Sequence, residues 1–216
     1  MQVTRYETSG PQPGETDESD LESEPFIEVN EEVRDKAYEI VGSVRDKREQ
    51  AYLLFRWVRD NIKYKYPPKV SGNLATLHSR RGDCGESSFL FVSLCRALGI
   101  PARVVFGRIV GEDGKTTPHA WAEAYMGGWL SVDCSIARDV KKPLFSTSDY
   151  FGIPHDPEYY FGNLDDKRLV YSIGTGIDPE VEYPKGDGKG YRIKTQDGDF
   201  FWWALGQNYF CENPRT

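Results

Sequence analysis

The apolar period of this chain changes between Leu98 and Ala102. Upstream, "CGESSFLFVSLCRAL" (Cys84–Leu98) repeats its apolar side chains every three or four residues, the spacing of a helix laid against a core. Gly99 then supplies a terminator, and Pro101 prevents continuation. Downstream, "ARVVFGRIV", "HAWAEAYM" and "WLSVDCS" read as strands, separated by the turn-forming "GEDGKTTP" and "GG". Helices first and strands afterwards predict an α+β fold, with helices packed on an antiparallel sheet.

Two earlier helices fit the same scheme. Asn30 can cap a helix over 30–41, with Glu31 and Glu32 in its first turn and Val33, Ala37, Ile40 and Val41 on one face. Asp46 and Glu49 make a D-x-x-E start for a helix over 46–63, whose Ala51, Leu54, Phe55, Val58 and Ile62 recur at helical spacing. "YPPK" breaks it, and a short helical piece is expected near 74–79. Later strands are expected at "RLVYSI", "GYRIKT" and "FFWWAL". The 216 residues suffice for one sizeable core.

Charge is unevenly distributed. The net charge is −7, and residues 1–25 hold seven acids and one arginine, so the remainder is nearly neutral. No basic stripe of the kind nucleic acid or an anionic membrane requires is present. Residues 1–25, rich in Glu, Ser, Pro and Gly, read as a disordered acidic tail ahead of a domain over 26–216. They contain no apolar signal region, which favours a cytoplasmic location, and no run approaches a membrane span. Cys84, Cys95, Cys134 and Cys211 form no C-x-x-C pair, so neither a zinc site nor a disulfide is expected. "KGDGKG" lacks the phosphate-loop order, and "DESDLESE" is a solvated charge run. No cofactor or metal is called for.

Chemistry concentrates around Cys84. A thiol at a helix start feels unpaired N–H groups and the positive end of the dipole, which favour thiolate. Position alone is equally consistent with a small residue filling a tight turn. His119, opening a strand just after a loop, can act as base for a thiol and later protonate a leaving amine. His78 and His155 have no comparable neighbours in the sequence. Asp133, at the end of the next strand, can fix one imidazole nitrogen.

Spacing tests this trio. With a two-residue hairpin at Gly127-Gly128, Asp133 would fall opposite Ala122, on the face away from His119. A three-residue loop Met126–Gly128 pairs Tyr125 with Trp129 and puts Asp133 opposite Trp121, diagonal to His119. The triad therefore requires the three-residue or a bulged turn.

"GDCGESSFLFVSLCRALGIPARVV", "HAWAEAY" and "GGWLSVD" together resemble the transglutaminase-like superfamily, whose core is related to papain-like cysteine proteases. The resemblance covers about 51–135, with a family-like extension over about 136–185. It implies Cys84 as nucleophile, His119 as general base and acid, and Asp133 as orienter, attacking amide or glutaminyl groups of a peptide or protein through a thioester. Animal relatives use an upstream Trp at the oxyanion; none lies between Val58 and Asp83 here, so Tyr64 or Tyr66 is the candidate donor. Trp121 is a candidate for the substrate groove or for shielding the His119–Asp133 pair. Hydrolysis is the first expectation, with transamidation as a second outcome. The alternatives are an inactive binding domain on the same scaffold and, ranked lower, a peptide-N-glycanase-like enzyme, whose paired zinc cysteines are missing.

Overall fold

The structure is a computed structural model and describes residues 8–66, 72–111, 114–137, 151–175, 183–184 and 190–191. A short strand β1 (Thr8–Ser9) is followed by a 3-10 turn (Glu18–Leu21), helices α1 (Glu31–Val41) and α2 (Lys47–Asn61), and a short strand β2 (Lys63–Tyr64). Next come α3 (Asn73–Ser79), β3 (Arg81–Gly82), α4 (Cys84–Ala97), β4 (Ala102–Val110), β5 (Thr116–Tyr125) and β6 (Trp129–Val132). A second 3-10 turn (Pro157–Tyr160) leads to β7 (Asn163–Leu164) and β8 (Arg168–Ile173). Residues 174–216 form a separate unit, in which β9 (Tyr183–Pro184) pairs antiparallel with β10 (Gly190–Tyr191). The remainder of "GYRIKT" and all of "FFWWAL" lie outside the described residues.

Caps place the helices as their sequences demand. Asn30 accepts the Val33 N–H at 3.0 Å and Asp46 the Glu49 N–H at 2.8 Å, each satisfying one orphan donor. Val33, Ala37 and Val41 of α1 and Ala51, Leu54, Phe55 and Val58 of α2 are buried, as their spacing predicts. The second helix stops two residues early, because Lys63 and Tyr64 run parallel to Arg81 and Gly82. The central helix differs from a one-sided stripe: every residue from Glu86 to Ala97 is buried. Helices α1, α2 and α3 cover one side of it and the sheet the other, so even its serines are enclosed.

The main sheet is antiparallel in the order β6-β5-β4-β8, so the α+β architecture of helices on an antiparallel sheet is present. Side chains alternate between its faces. Ala102 and Val104 of β4 and Ala120, Ala122 and Ala124 of β5 join the core beneath α4; their small size lets the helix approach closely. The other face carries Val105, Ile109 and Trp121, covered by Ile136, Phe151, Ile153, Tyr160 and Leu164 of the following extension. Gly107 lies beside a bulge in the β4–β8 pairing, where a Cβ would meet the Leu169 carbonyl oxygen at 2.1 Å and the Trp121 ring at 2.9 Å.

The acidic N-terminal segment is not the loose tail its composition suggests, at least from residue 8 onward. Thr8 and Ser9 pair with Leu164 and Asn163, and Gln12 and Trp129 exchange two backbone hydrogen bonds at 2.7 Å. Trp129 donates its indole N–H to the Glu15 carbonyl at 3.1 Å. Arg96, buried at the end of α4, donates to the Ala102 and Glu22 carbonyls and to the Glu24 carboxylate. Backbone pairing and one buried guanidinium thus hold a strap whose side chains could not form a core of their own. Arg103 meets Glu123 at 2.8 Å and lies 3.7 Å over the Trp129 ring. Among the described residues no helix is long and apolar enough to cross a membrane.

Gly107→Ala should destabilise the domain by about 1–3 kcal/mol, because the backbone oxygen and indole facing it can yield only by shifting the sheet. Equilibrium urea denaturation of the variant against the parent measures this.

Candidate active site

The β5–β6 connection decides whether a triad can exist. Tyr125 pairs with Trp129, and Met126 donates its N–H to the Gly128 carbonyl at 2.8 Å, so the loop is Met126–Gly128, three residues long. Gly127 adopts φ +77°, a region glycine enters without Cβ strain. The register puts Ala122 beside Val132 and leaves Asp133 on the His119 face. His119 Nε2 lies 2.6 Å from Asp133 Oδ2, with both residues buried.

With Nε2 donating to the carboxylate, Nδ1 is the nitrogen available to a thiol; the tautomer follows from this hydrogen-bond assignment. Asp133 is held on every side. Its Oδ1 accepts from the Ser135 N–H at 3.0 Å, the Ser135 hydroxyl at 2.9 Å and the Ile136 N–H at 3.3 Å. Its Oδ2 also accepts from Arg168 Nη1 at 2.9 Å. Burial pushes this carboxyl up, but the charge and hydrogen bond of His119, the Arg168 guanidinium and the Ser135 N–H outweigh it. Together they hold Asp133 well below the usual carboxylate range.

Cys84 is the first residue of α4, as the sequence places it. The Ala120 N–H, from the residue after His119, favours the thiolate of Cys84. The expectation of a lowered thiol pKa does not hold. Burial, then the charges of Asp83 and Asp133, push the Cys84 thiol up, and the Ala120 and Gly85 N–H groups do not compensate. Asp83 adds to the burial: it caps α4 and takes the Gly85 and Glu86 N–H groups at 2.8 and 3.3 Å, using donors that would otherwise face an anion. A thiol so placed needs a partner to remove its proton.

The remaining candidates separate. The β2–β3 pairing sets Tyr64 opposite Gly82, two residues before Cys84. Its ring is half exposed, yet burial of its hydroxyl end, then the neighbouring Cys84 and Asp83, push that hydroxyl up. Tyr64 thus stands at the helix tip, whereas Tyr66 lies on the exposed chain leaving β2. Trp121 does not line an open groove: it is 1% exposed, stacks on the His119 ring and packs with Val105 and Leu164. The extension after residue 135 covers that face, which explains the difference. Cys95 and Cys134 are buried, and Cys211 lies outside the described residues.

Sequence reasoning missed Ser135, Arg168 and Asp165. An Asp followed two residues later by Ser, at a strand end, is a recognisable turn signal. Arg168 and Asp165 carried only the generic mark of opposite charges three residues apart, and nothing linear ties them to Asp133.

Residues 34–134, a little under half of the chain, match the family model described as transglutaminase-like superfamily. An uncharacterised protein of Mycobacterium leprae is 31% identical over 104 residues, which is 43% of this chain and 37% of that protein. A protein-glutamine gamma-glutamyltransferase of Pseudomonas aeruginosa is 30% identical over 146 residues, covering 56% of this chain and 22% of that one. The chain thus spans well under half the length of these two relatives. A solved structure of a candidate cysteine protease from Cytophaga hutchinsonii aligns with a TM-score of 0.49 at 20% identity, over 80% of this chain and 61% of that one.

Because the Asp133 carboxyl is depressed by folding, its contribution to stability is complete above the unfolded carboxylate range near pH 4 and is lost as pH falls through and below it. The stability difference between the parent and Asp133→Asn should therefore shrink by about 1.4 kcal/mol per pH unit between roughly pH 4 and pH 2. Denaturant melts at stepped pH read it directly.

Proposed function

We propose that this transglutaminase-like domain is a cysteine-dependent acyl transferase that hydrolyses amide bonds of peptides or proteins through a thioester. The observation that carries the reading is the buried His119–Asp133 contact at 2.6 Å, on a strand whose next residue, Ala120, acts through its N–H on the Cys84 thiol.

In the proposed cycle Cys84 gives its proton to His119 Nδ1, and the sulfur attacks the substrate carbonyl carbon. The carbonyl π pair moves to oxygen, and the oxyanion takes hydrogen bonds from the Cys84 N–H and the Tyr64 hydroxyl. On collapse the C–N bond breaks and the departing amine takes the proton from His119, leaving a thioester. Water then gives a proton to His119 and attacks the same carbon; the C–S bond breaks, and Cys84 recovers its proton as the carboxylic product leaves. The elevated thiol pKa fits this order, since a proton acceptor is required at the moment of attack.

A primary amine in place of water would give transamidation by the same steps. That second outcome is favoured by the 30% identity to a protein named as a protein-glutamine gamma-glutamyltransferase.

Mass spectrometry of glutamine-containing peptides, with and without a primary amine, separates cleavage, deamidation and amine incorporation. Cys84→Ala should lower any of these by at least about a thousandfold. Tyr64→Phe should lower turnover on the order of a hundredfold with little change in KM, as expected for one oxyanion donor. Unchanged turnover in Cys84→Ala would sink the proposal. If no such peptide is cleaved, deamidated or joined to an amine, the inactive binding domain becomes the better account.

A further inference from the structure

The proposed cycle leaves unused two buried charges that touch it, Arg168 and Asp165. Both lie beyond residues 34–134, in the extension. The Arg168 side chain is 4% exposed and donates Nη1 to Asp133 Oδ2, the same oxygen that meets His119. Its Nε and Nη2 grip Asp165 Oδ2 at 3.0 and 2.9 Å, and the Asp165 side chain is also 4% exposed. The guanidinium lies 5.3 Å from the Trp121 ring and 5.7 Å from that of Tyr160. These contacts leave it one position.

Charge arithmetic then decides what the pair can do. Guanidinium keeps its proton in proteins, so a fixed cation sits against Asp133. Alone, it would cancel the carboxylate that supports an imidazolium on His119. Asp165 restores the balance: with a neutral ring, His119, Asp133, Arg168 and Asp165 carry a net charge of −1, and with imidazolium they are neutral. Of the other titratable groups, Cys84 of α4, Tyr64 of β2 and Tyr160 also feel the Asp133 charge, and Asp83 acts on Cys84 and Tyr64.

We propose that Asp165 and Arg168 are a positioning pair for the catalytic trio. Arg168 locks the Asp133 carboxylate towards His119, and Asp165 neutralises Arg168 so that the charge of Asp133 remains available to the ring. The inference rests on the acyl-transfer reading above and adds two residues to its machinery.

The test is the kcat and KM of the full chain on a glutamine-containing peptide, read by mass spectrometry. Asp165→Asn leaves Arg168 to cancel Asp133. It should lower kcat on the order of tenfold with little change in KM, because the imidazolium formed on His119 during attack loses its support. The double variant Asp165→Asn/Arg168→Gln removes both added charges and should recover part of that loss, although it has lost more contacts. A purely structural role predicts the reverse order, and circular dichroism confirms folding of each variant. An Asp165→Asn kcat equal to the parent's, or a double variant slower than Asp165→Asn, overturns the inference while leaving the trio intact. A parent no more active than Cys84→Ala overturns the acyl-transfer reading and this inference with it.

Discussion

The carboxylate of Asp133 is the point on which the site turns. A charge taken out of water is tolerated only when opposite charge and hydrogen bonds replace its hydration. Here His119, Arg168, two donors from Ser135 and the Ile136 N–H do so. These donors come from β5, from β8 and from the turn after β6, so satisfying one side chain ties three segments together. The imidazole orientation, the packing of Trp121 and the cover over that face of the sheet all follow from this closure.

The two faces of the sheet divide the labour. Beneath α4 the strands present alanines and valines, which let a helix buried on every side settle close enough for its first residue to touch the start of β5. The opposite face buries the charged half of the site under the extension. The acid that caps α4 and the burial of the sulfur both oppose thiolate, so the helix end by itself does not make Cys84 a thiolate.

Much of this was legible in order along the chain. Helix caps at Asn30 and Asp46, the terminator at Gly99 and the apolar periods located the elements, because each is set by neighbours within a few residues. The even His119–Asp133 separation demanded a three-residue turn, and the Met126–Gly128 loop meets that demand. The strap over residues 8–24 was not legible, because its composition is that of a solvated tail and it is held mainly by backbone bonds, which composition does not record.

Local chemistry in the sequence therefore determined where helices and strands begin, which face each strand presents, and that Cys84, His119 and Asp133 could share a site. The tertiary structure alone decided the state of the thiol, the burial of Trp121 and the placement of Arg168 with Asp165 behind the carboxylate. The physical reason is range. Caps, turns and side-chain periods act over a few residues, whereas desolvation and buried charge depend on every segment that closes around a group, however distant it is along the chain.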